Sequence, residues 1–397
     1  MEGKGFKMKI IFPLLWIAEH SGDNAIWTKL IKTIEEVFPD SEYICPTQYP
    51  PTSELLEWDI EQLKKVTDKI TVIPMGLVTG FDYQEFKKLK TREEVVSYMD
   101  KVQPNEYLAD ADMIISMGGG YMFDDALYCL YLPPFYVAQR LGKPTFFNTQ
   151  TFSGSGFAEA TKMLGNLVFN KAKYLSPREQ ESLHNLRNTF GANNELVLSQ
   201  DFTFDMPTEP YDKPLPENAV KINIRQDKVD THSIEVIAQV ADMITETMGK
   251  VVFVPICHGG DRDDRVAHSK IASMMKHECV QIVDKLTVGQ AKEIAKGGIF
   301  ITDRYHTCIF SASVNTPFVP LMPDIGFKMK GLLDALKYPP VSILDLQKTT
   351  VKDLYRNVLE VWSNRESIKA HLEKVVPEVK THVTETTSKL KEALKNG

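Results

Sequence analysis

Hydrophobic and polar positions along the chain alternate between two spacings. Short apolar runs, such as 70–74 and 298–302, predict strands. Between such runs lie segments such as 24–37 and 233–247, in which apolar residues recur every three or four positions as in amphipathic helices. The repeated order of strand, helix and strand predicts an α/β fold with parallel sheets covered by helices on both faces.

A polar stretch divides this pattern into two regions. Residues 206–216 are rich in proline and show neither helical nor strand spacing, and the alternation restarts beyond them. We therefore predict two Rossmann-like doubly wound domains, at 1–207 and 208–345. A helical C-terminal extension at 346–397 follows, which Pro377 should kink or break. Ligands of such sheets bind at the carboxyl ends of the strands, so a cleft between the two domains is the predicted site.

The first apolar run imitates a signal peptide. It covers 10–18, follows three lysines, and is shorter than the ~20 residues that span a bilayer. The residues after it include Glu19 and His20, with no small-residue cleavage site. A buried first strand over 9–15 is the preferred interpretation, and we expect the protein in the cytoplasm.

Composition places the chain among ordinary globular proteins. Its 397 residues are 43% hydrophobic and 25% charged, which argues against the disordered and fibrous classes. The net charge of -7 argues against a nucleic-acid partner. The five cysteines are far apart and form no CxxC pair, so we predict buried, reduced thiols rather than a disulfide framework or a structural zinc site.

Two loops that follow predicted strands in the first half carry candidate binding residues. Asp23 and Asn24 precede the first helix, whose N-terminus attracts anions; the alternative is that they only cap the helix. Gly118, Gly119 and Gly120 follow the apolar run at 112–117. Three glycines accept positive φ and let the backbone approach a ligand closely, or they form a tight turn without one.

In the second half, Arg304 and His306 follow a buried strand just before a helix. In extended backbone two such positions point to the same side. Arginine binds an oxyanion with two parallel hydrogen bonds and histidine transfers protons near neutral pH, so the pair suits a doubly charged oxyanion substrate. His258, Lys328 and Arg178 are further candidates, although each alone is typical of a surface charge.

An acidic run lies shortly after His258. Asp261, Asp263 and Asp264 could hold a divalent cation, but arginines alternate with them. We interpret the run as a solvated, charge-balanced loop, and no metal is predicted.

The order of these motifs resembles that of the polysaccharide pyruvyl transferase family. The resemblance spans about residues 9–345. Two loops differ from the family's pattern: 20–23 replaces an Asn-x-Gly-Asp turn, and 148–154 replaces a Gly-Pro loop. The similar segments are, in chain order, 21–26, 111–120, 172–182, 201–204, 251–261, 303–312, 317–320 and 327–331.

The resemblance implies a fold and a reaction. The two Rossmann-like domains would face each other across a cleft in a GT-B-like arrangement, with the acceptor on the N-terminal side and the donor on the C-terminal side. The enzyme would be a transferase that moves pyruvate from phosphoenolpyruvate onto two hydroxyls of one sugar as a cyclic ketal, in cell-surface glycan biosynthesis.

The resemblance also implies roles for the candidate residues. His306 would be the acid/base, and Arg304, Arg178 and Lys328 would hold the phosphate and carboxylate of the donor, with His258 as a further contact. On the acceptor side the resemblance implies Asp23, Asn24, Gly119 and Gly120. No cofactor or metal is expected, because arginine and lysine supply positive charge. The expected partners are phosphoenolpyruvate and a saccharide, free or lipid-linked, with at most peripheral contact at the inner face of a membrane.

Two alternatives stay open at this stage. A nucleotide-sugar-dependent glycosyltransferase on the same fold would need a ribose-binding carboxylate, for which Asp261, Glu278 and Asp303 are candidates. A non-catalytic member of the family would explain the two altered loops, although the retained basic residues argue against it. The acceptor sugar and the oligomeric state do not follow from the sequence.

Overall fold

The computed structural model describes residues 7–13, 21–47, 53–322 and 326–397. The chain forms two compact units. Unit 1 comprises Met1–Trp16, Ile26–Asp201 and Val383–Gly397, and unit 2 comprises Ile17–Ala25 and Phe202–His382. The predicted extension at 346–397 is therefore divided between the two units, and the division near the proline-rich stretch falls after Asp201 instead of after 207.

Unit 1 is built on a parallel sheet. Among the described residues seven strands form it, in the order β3-β2-β1-β6-β8-β7, with β9 also on β8, while β4 and β5 form a separate antiparallel pair. The strands are β1 (Lys9–Ile11), β2 (Glu42–Thr47), β3 (Ile70–Pro74), β4 (Val78–Thr79), β5 (Gln103–Pro104), β6 (Met113–Ser116), β7 (Gly119–Met122), β8 (Thr145–Phe152) and β9 (Tyr174–Pro177). The helices are α1 (Ser21–Glu35), whose residues 21–25 belong to unit 2, α2 (Glu54–Lys64), α3 (Tyr83–Phe86), α4 (Arg92–Met99), α5 (Glu106–Asp110), α6 (Asp125–Arg140), α7 (Glu159–Phe169) and α8 (Gln180–Asn188).

Unit 2 repeats the parallel arrangement. Its described strands pair in the order β12-β11-β10-β13-β14-β15. They are β10 (Val220–Asn223), β11 (Val251–Phe253), β12 (Val280–Gln281), β13 (Ile299–Thr302), β14 (Phe318–Met322) and β15 (Leu344–Asp345). The helices are α9 (Thr231–Thr247), α10 (Asp264–Met274), α11 (Val288–Ala295), α12 (Tyr305–Ser313), α13 (Gly326–Ala335), α14 (Val351–Ser363) and α15 (Arg365–Asn396), whose residues 383–396 belong to unit 1.

The strand and helix pattern of the sequence is confirmed in most places. Strand Ile70–Pro74 has the predicted bounds, and helix Val288–Ala295 lies between two strands of unit 2. The latter begins sharply because Thr287 and Gln290 form a capping box. The first strand is seen over Lys9–Ile11, while predicted strand positions 14 and 15 and the loop residues Glu19 and His20 lie outside the described residues.

The C-terminal helix differs from the prediction that Pro377 would kink or break it. Helix α15 continues through Pro377 to Asn396, so the prediction of a break is wrong. Leu372, Val376 and Val383 on the same helix are buried. Burial of this apolar stripe offsets the one backbone hydrogen bond that proline cannot donate.

The five cysteines are free thiols in the structure. No disulfide links the five, all of which lie in the described part of the chain; Cys279 is half-buried and the other four are buried. Burial raises the pKa of the Cys45, Cys129 and Cys308 thiols. No helix among the described residues is both long enough and apolar enough to cross a membrane.

Candidate functional site

Charged residues follow the carboxyl ends of β10 and β13. Strand β10 lies between β11 and β13, so the strands that follow it in sequence are added first on one side of it and then on the other. Doubly wound sheets bind their ligands where the strand order reverses in this way. Both strands are buried along their whole length, because their continuous apolar runs are covered on both faces. Arg225 follows β10, and Asp303 and Arg304 follow β13.

Arg304 is held by a buried carboxylate. Its Nε donates to both oxygens of Asp264 at 3.0 Å, and its Nη2 donates to Asp264 and to the backbone carbonyl of Arg262. Burial lowers the pKa of Arg304, but the nearby charge of Asp264 raises it, and the net shift is upward. The guanidinium is therefore always protonated. Asp264 is completely buried. The interpretation of this aspartate as part of a solvated loop is therefore wrong.

His306 lies in the first turn of α12, packed against the first turn of α1. A Cβ added to Gly22 would lie 2.1 Å from Cγ and 2.2 Å from Nδ1 of His306, so a side chain at position 22 would displace the imidazole. Ser21 fixes this turn within unit 2, because its hydroxyl donates to the carbonyls of Ile256 and Leu286 at 3.1 Å. Glycine is required at position 22 because the imidazole approaches the backbone closely there.

The backbone changes direction between Arg304 and His306. Arg304 is the extended N-cap residue of α12, and the helix begins at Tyr305. Side chains two positions apart point to the same side only in extended backbone. The expectation that Arg304 and His306 share a side therefore does not apply across this junction.

Lys328 approaches the same segment from α13. Its Nζ lies 5.8 Å from the centre of the Tyr305 ring, close enough for a cation–π interaction. The Tyr305 ring in turn contacts His306 edge-on, with ring centres 5.5 Å apart. Unit 2 therefore brings Arg304, His306 and Lys328 around one short segment. Asp23 and Asn24, predicted on the acceptor side, occupy the half-buried first turn of α1 and belong to unit 2.

His258 and His268 are buried, neutral imidazoles. The backbone N–H of Leu286 donates to Nε2 of His258 at 3.1 Å, and that of Ile224 donates to Nε2 of His268 at 3.2 Å. Burial lowers the pKa of each to about 4. At neutral pH His258 therefore adds no positive charge to the site.

Asp303 is a carboxyl group whose acid/base character the sequence analysis missed. It is buried and accepts hydrogen bonds from the backbone N–H of Arg225 at 3.1 and 3.3 Å. Burial raises its pKa to about 7, an effect that the charges of Arg225 and Arg304 oppose. It therefore exchanges a proton near neutral pH. The available signal was its position directly after a fully buried strand.

Arg178 lies in unit 1 within a buried network. Its Nε donates to Glu179 at 2.9 Å, its Nη1 to Asp201 at 2.6 Å, and its Nη2 to Thr151 at 2.7 Å. Each of its three nitrogens is therefore bound inside unit 1.

The three glycines of unit 1 do not form an open loop. Gly118 and Gly119 have φ of 94° and 103°, and Gly119 and Gly120 begin β7, which pairs with β8. A Cβ at Gly118 would lie 2.6 Å from the backbone oxygen of Asn148. Close approach of the two backbones therefore explains the glycine at 118. No cluster of three or more His, Cys, Asp or Glu side chains suited to a metal ion occurs in the described ranges.

The model of one protein family matches most of the chain. The family model described as polysaccharide pyruvyl transferase matches residues 20–325. No curated protein sequence matches the chain at a significant level.

Solved structures resemble the chain over its full length. A glycosyltransferase from Rickettsia africae has a TM-score of 0.59 and 13% identity and covers 99% of this chain and 100% of its own. The UDP-GlcNAc 2-epimerase of Neisseria meningitidis, bound to UDP-GlcNAc, has a TM-score of 0.58 and 9% identity; the match covers 99% of this chain and 100% of that protein. A proposed UDP-N-acetylglucosamine 2-epimerase from Listeria monocytogenes has a TM-score of 0.61 and 12% identity; the match covers 98% of this chain and 95% of that protein. These similarities confirm the GT-B-like fold class.

Proposed function

Because the chain belongs to the polysaccharide pyruvyl transferase family, we propose that it transfers pyruvate from phosphoenolpyruvate to two hydroxyls of one sugar. The observation that carries this proposal is the grouping of a guanidinium, an ammonium and an imidazole around residues 304–306 of unit 2. A dianionic phosphate and a carboxylate on one small donor are groups that arginine and lysine side chains bind.

The chemistry of the proposed reaction is balanced without a cofactor. A proton adds to the methylene carbon of phosphoenolpyruvate, and the central carbon becomes an oxocarbenium-like centre that one sugar hydroxyl attacks. The bond from that carbon to the phosphate oxygen breaks, and the second hydroxyl closes the ring. The two hydroxyl protons end on the new methyl group and on the released phosphate.

The residues of unit 2 receive roles in this scheme. His306 is the acid/base, and Arg304 and Lys328 bind the donor and stabilise the charge that develops on the departing phosphate. Asp303 is a second group able to exchange a proton at neutral pH. Arg178 is left out of the donor site, because its three nitrogens are bound within unit 1. The acceptor is a free or lipid-linked saccharide in the cytoplasm or at the inner face of the membrane.

Mass spectrometry of saccharides incubated with the protein and phosphoenolpyruvate tests the proposal. We expect a pyruvate ketal on one of them and an equal amount of released phosphate. His306→Ala and Arg304→Ala should each lower the rate by about 10²-fold or more. The exposed Arg356, paired with Asp353 at the surface, provides the matched control Arg356→Ala, which should leave the rate unchanged. Turnover of a UDP-sugar with no use of phosphoenolpyruvate would contradict the proposal.

A further inference from the structure

Asp264 joins three separate parts of unit 2. One of its oxygens, Oδ2, accepts from the side-chain amide of Asn223 at 2.8 Å and from the backbone N–H groups of Ile256 and Cys257 at 3.0 Å. These three donors hold Oδ2 in place without any contribution from Arg304. The other oxygen is left to face the guanidinium, which binds it through Nε and Nη2.

Asn223 is itself held in one orientation. Its Oδ1 accepts from the hydroxyls of Thr302 at 3.2 Å and Thr307 at 2.9 Å, so its NH₂ group must face Asp264. The side chains at the ends of β10 and β13 and at the start of α12 thus determine where the carboxylate points. Every group in this network is buried.

The guanidinium of Arg304 has one nitrogen outside this network. None of its hydrogen bonds to Asp264 or to the carbonyl of Arg262 uses Nη1. We infer that Asp264 is a positioning residue of an oxyanion site: it holds the Arg304 guanidinium in one orientation, with Nη1 directed to the ligand. The inference rests on the proposed function only for the identity of the ligand, because a fixed guanidinium edge binds any phosphate-like anion.

Chemical rescue separates positioning from a general structural role. Arg304→Ala leaves Asp264 with its three other donors, so this variant should fold. It should bind inorganic phosphate at least about tenfold more weakly than the wild type in calorimetric titrations. Millimolar methylguanidinium, which fits the vacated space against Asp264, should restore part of the affinity. It should also raise the melting temperature of Arg304→Ala in a saturable manner, but not that of the wild type.

The double variant Arg304→Ala/Asp264→Asn provides the comparison. Methylguanidinium should not restore its phosphate affinity, and the affinity of the double variant should equal that of Arg304→Ala alone. Asp264→Asn alone should lose as much phosphate affinity as Arg304→Ala. Equal rescue of both backgrounds would overturn the inference, as would wild-type phosphate affinity in Asp264→Asn.

The measurements distinguish this inference from the proposed function. A wild-type protein that binds phosphate and shows the rescue pattern, but produces no ketal, would refute the pyruvyl transfer and support the role of Asp264. A wild-type protein that does not bind phosphate would refute the oxyanion site itself. If Asp264→Asn does not fold, the failure of methylguanidinium to stabilise Arg304→Ala would still overturn the inference.

Discussion

Substitution of Gly22 by alanine measures how tightly His306 is held by the first turn of α1. The added Cβ would lie 2.1 Å from Cγ of the imidazole, whereas ordinary van der Waals contact begins at 3.4 Å. The ring must therefore retreat by about 1.3 Å, the difference of these two distances, since the Ser21 hydroxyl bonds hold the turn in place. A shift of about 1 Å in a reacting group costs on the order of 10²-fold in rate.

We expect Gly22→Ala to lower kcat/KM for phosphoenolpyruvate about 10²-fold, equivalent to about 2.7 kcal/mol of transition-state stabilisation. Phosphate release in the presence of the acceptor is the assay, and the melting temperature shows whether the variant is folded. The matched control is Gly165→Ala in helix α7 of unit 1, where the new Cβ would lie 2.4 Å from Cδ1 of Phe190. This control should lower the melting temperature without changing kcat/KM. Wild-type kcat/KM in a folded Gly22→Ala would refute the packing argument.

Two further predictions concern buried charges. Arg178→Met should lower the free energy of unfolding in urea by about 3–5 kcal/mol, because it leaves the carboxylates of Glu179 and Asp201 buried without their partner. A loss no larger than that of an exposed arginine would contradict this. As pH falls from about 6.5 to about 4, the unfolded chain binds a proton that folded His268 rejects, so stability is lost in that window. His268→Gln should reduce the slope of stability against pH by about 1.4 kcal/mol per pH unit, and an unchanged slope would refute the assignment. The raised pKa of Asp303 makes the folded protein more stable as pH falls, which is the opposite effect. Because Asp303 is present in both the wild type and His268→Gln, its contribution cancels when their slopes are compared.

The sequence predicts the fold class well because burial on both faces leaves a direct trace. Continuous apolar runs such as Ile299–Thr302 are typical of strands inside a covered parallel sheet, and the helices predicted between them supply the cover. The error at Pro377 has the opposite origin. A local rule for proline was overridden by packing of the helix that contains it, and packing partners are not visible in the local sequence.

The candidate site could be predicted only in part. The positions of Arg304 and His306 follow from the strand before them. The partners that decide what these side chains do are distant in sequence: Asp264 orients the guanidinium, and Gly22 packs on the imidazole. Side-chain type indicates a possible charge, but burial and hydrogen bonding decide whether the charge exists. His258 is neutral for this reason.

The buried cysteines make thiol chemistry a reporter of local opening. Alkylating reagents attack the thiolate, which must be both formed and reachable, so half-buried Cys279 should be labelled ahead of the other four. Cys45 and Cys129 lie in unit 1, and Cys257 and Cys308 lie in unit 2. Each unit thus contains two buried, unreactive thiols, and the order in which these thiols are alkylated would show which unit unfolds locally first.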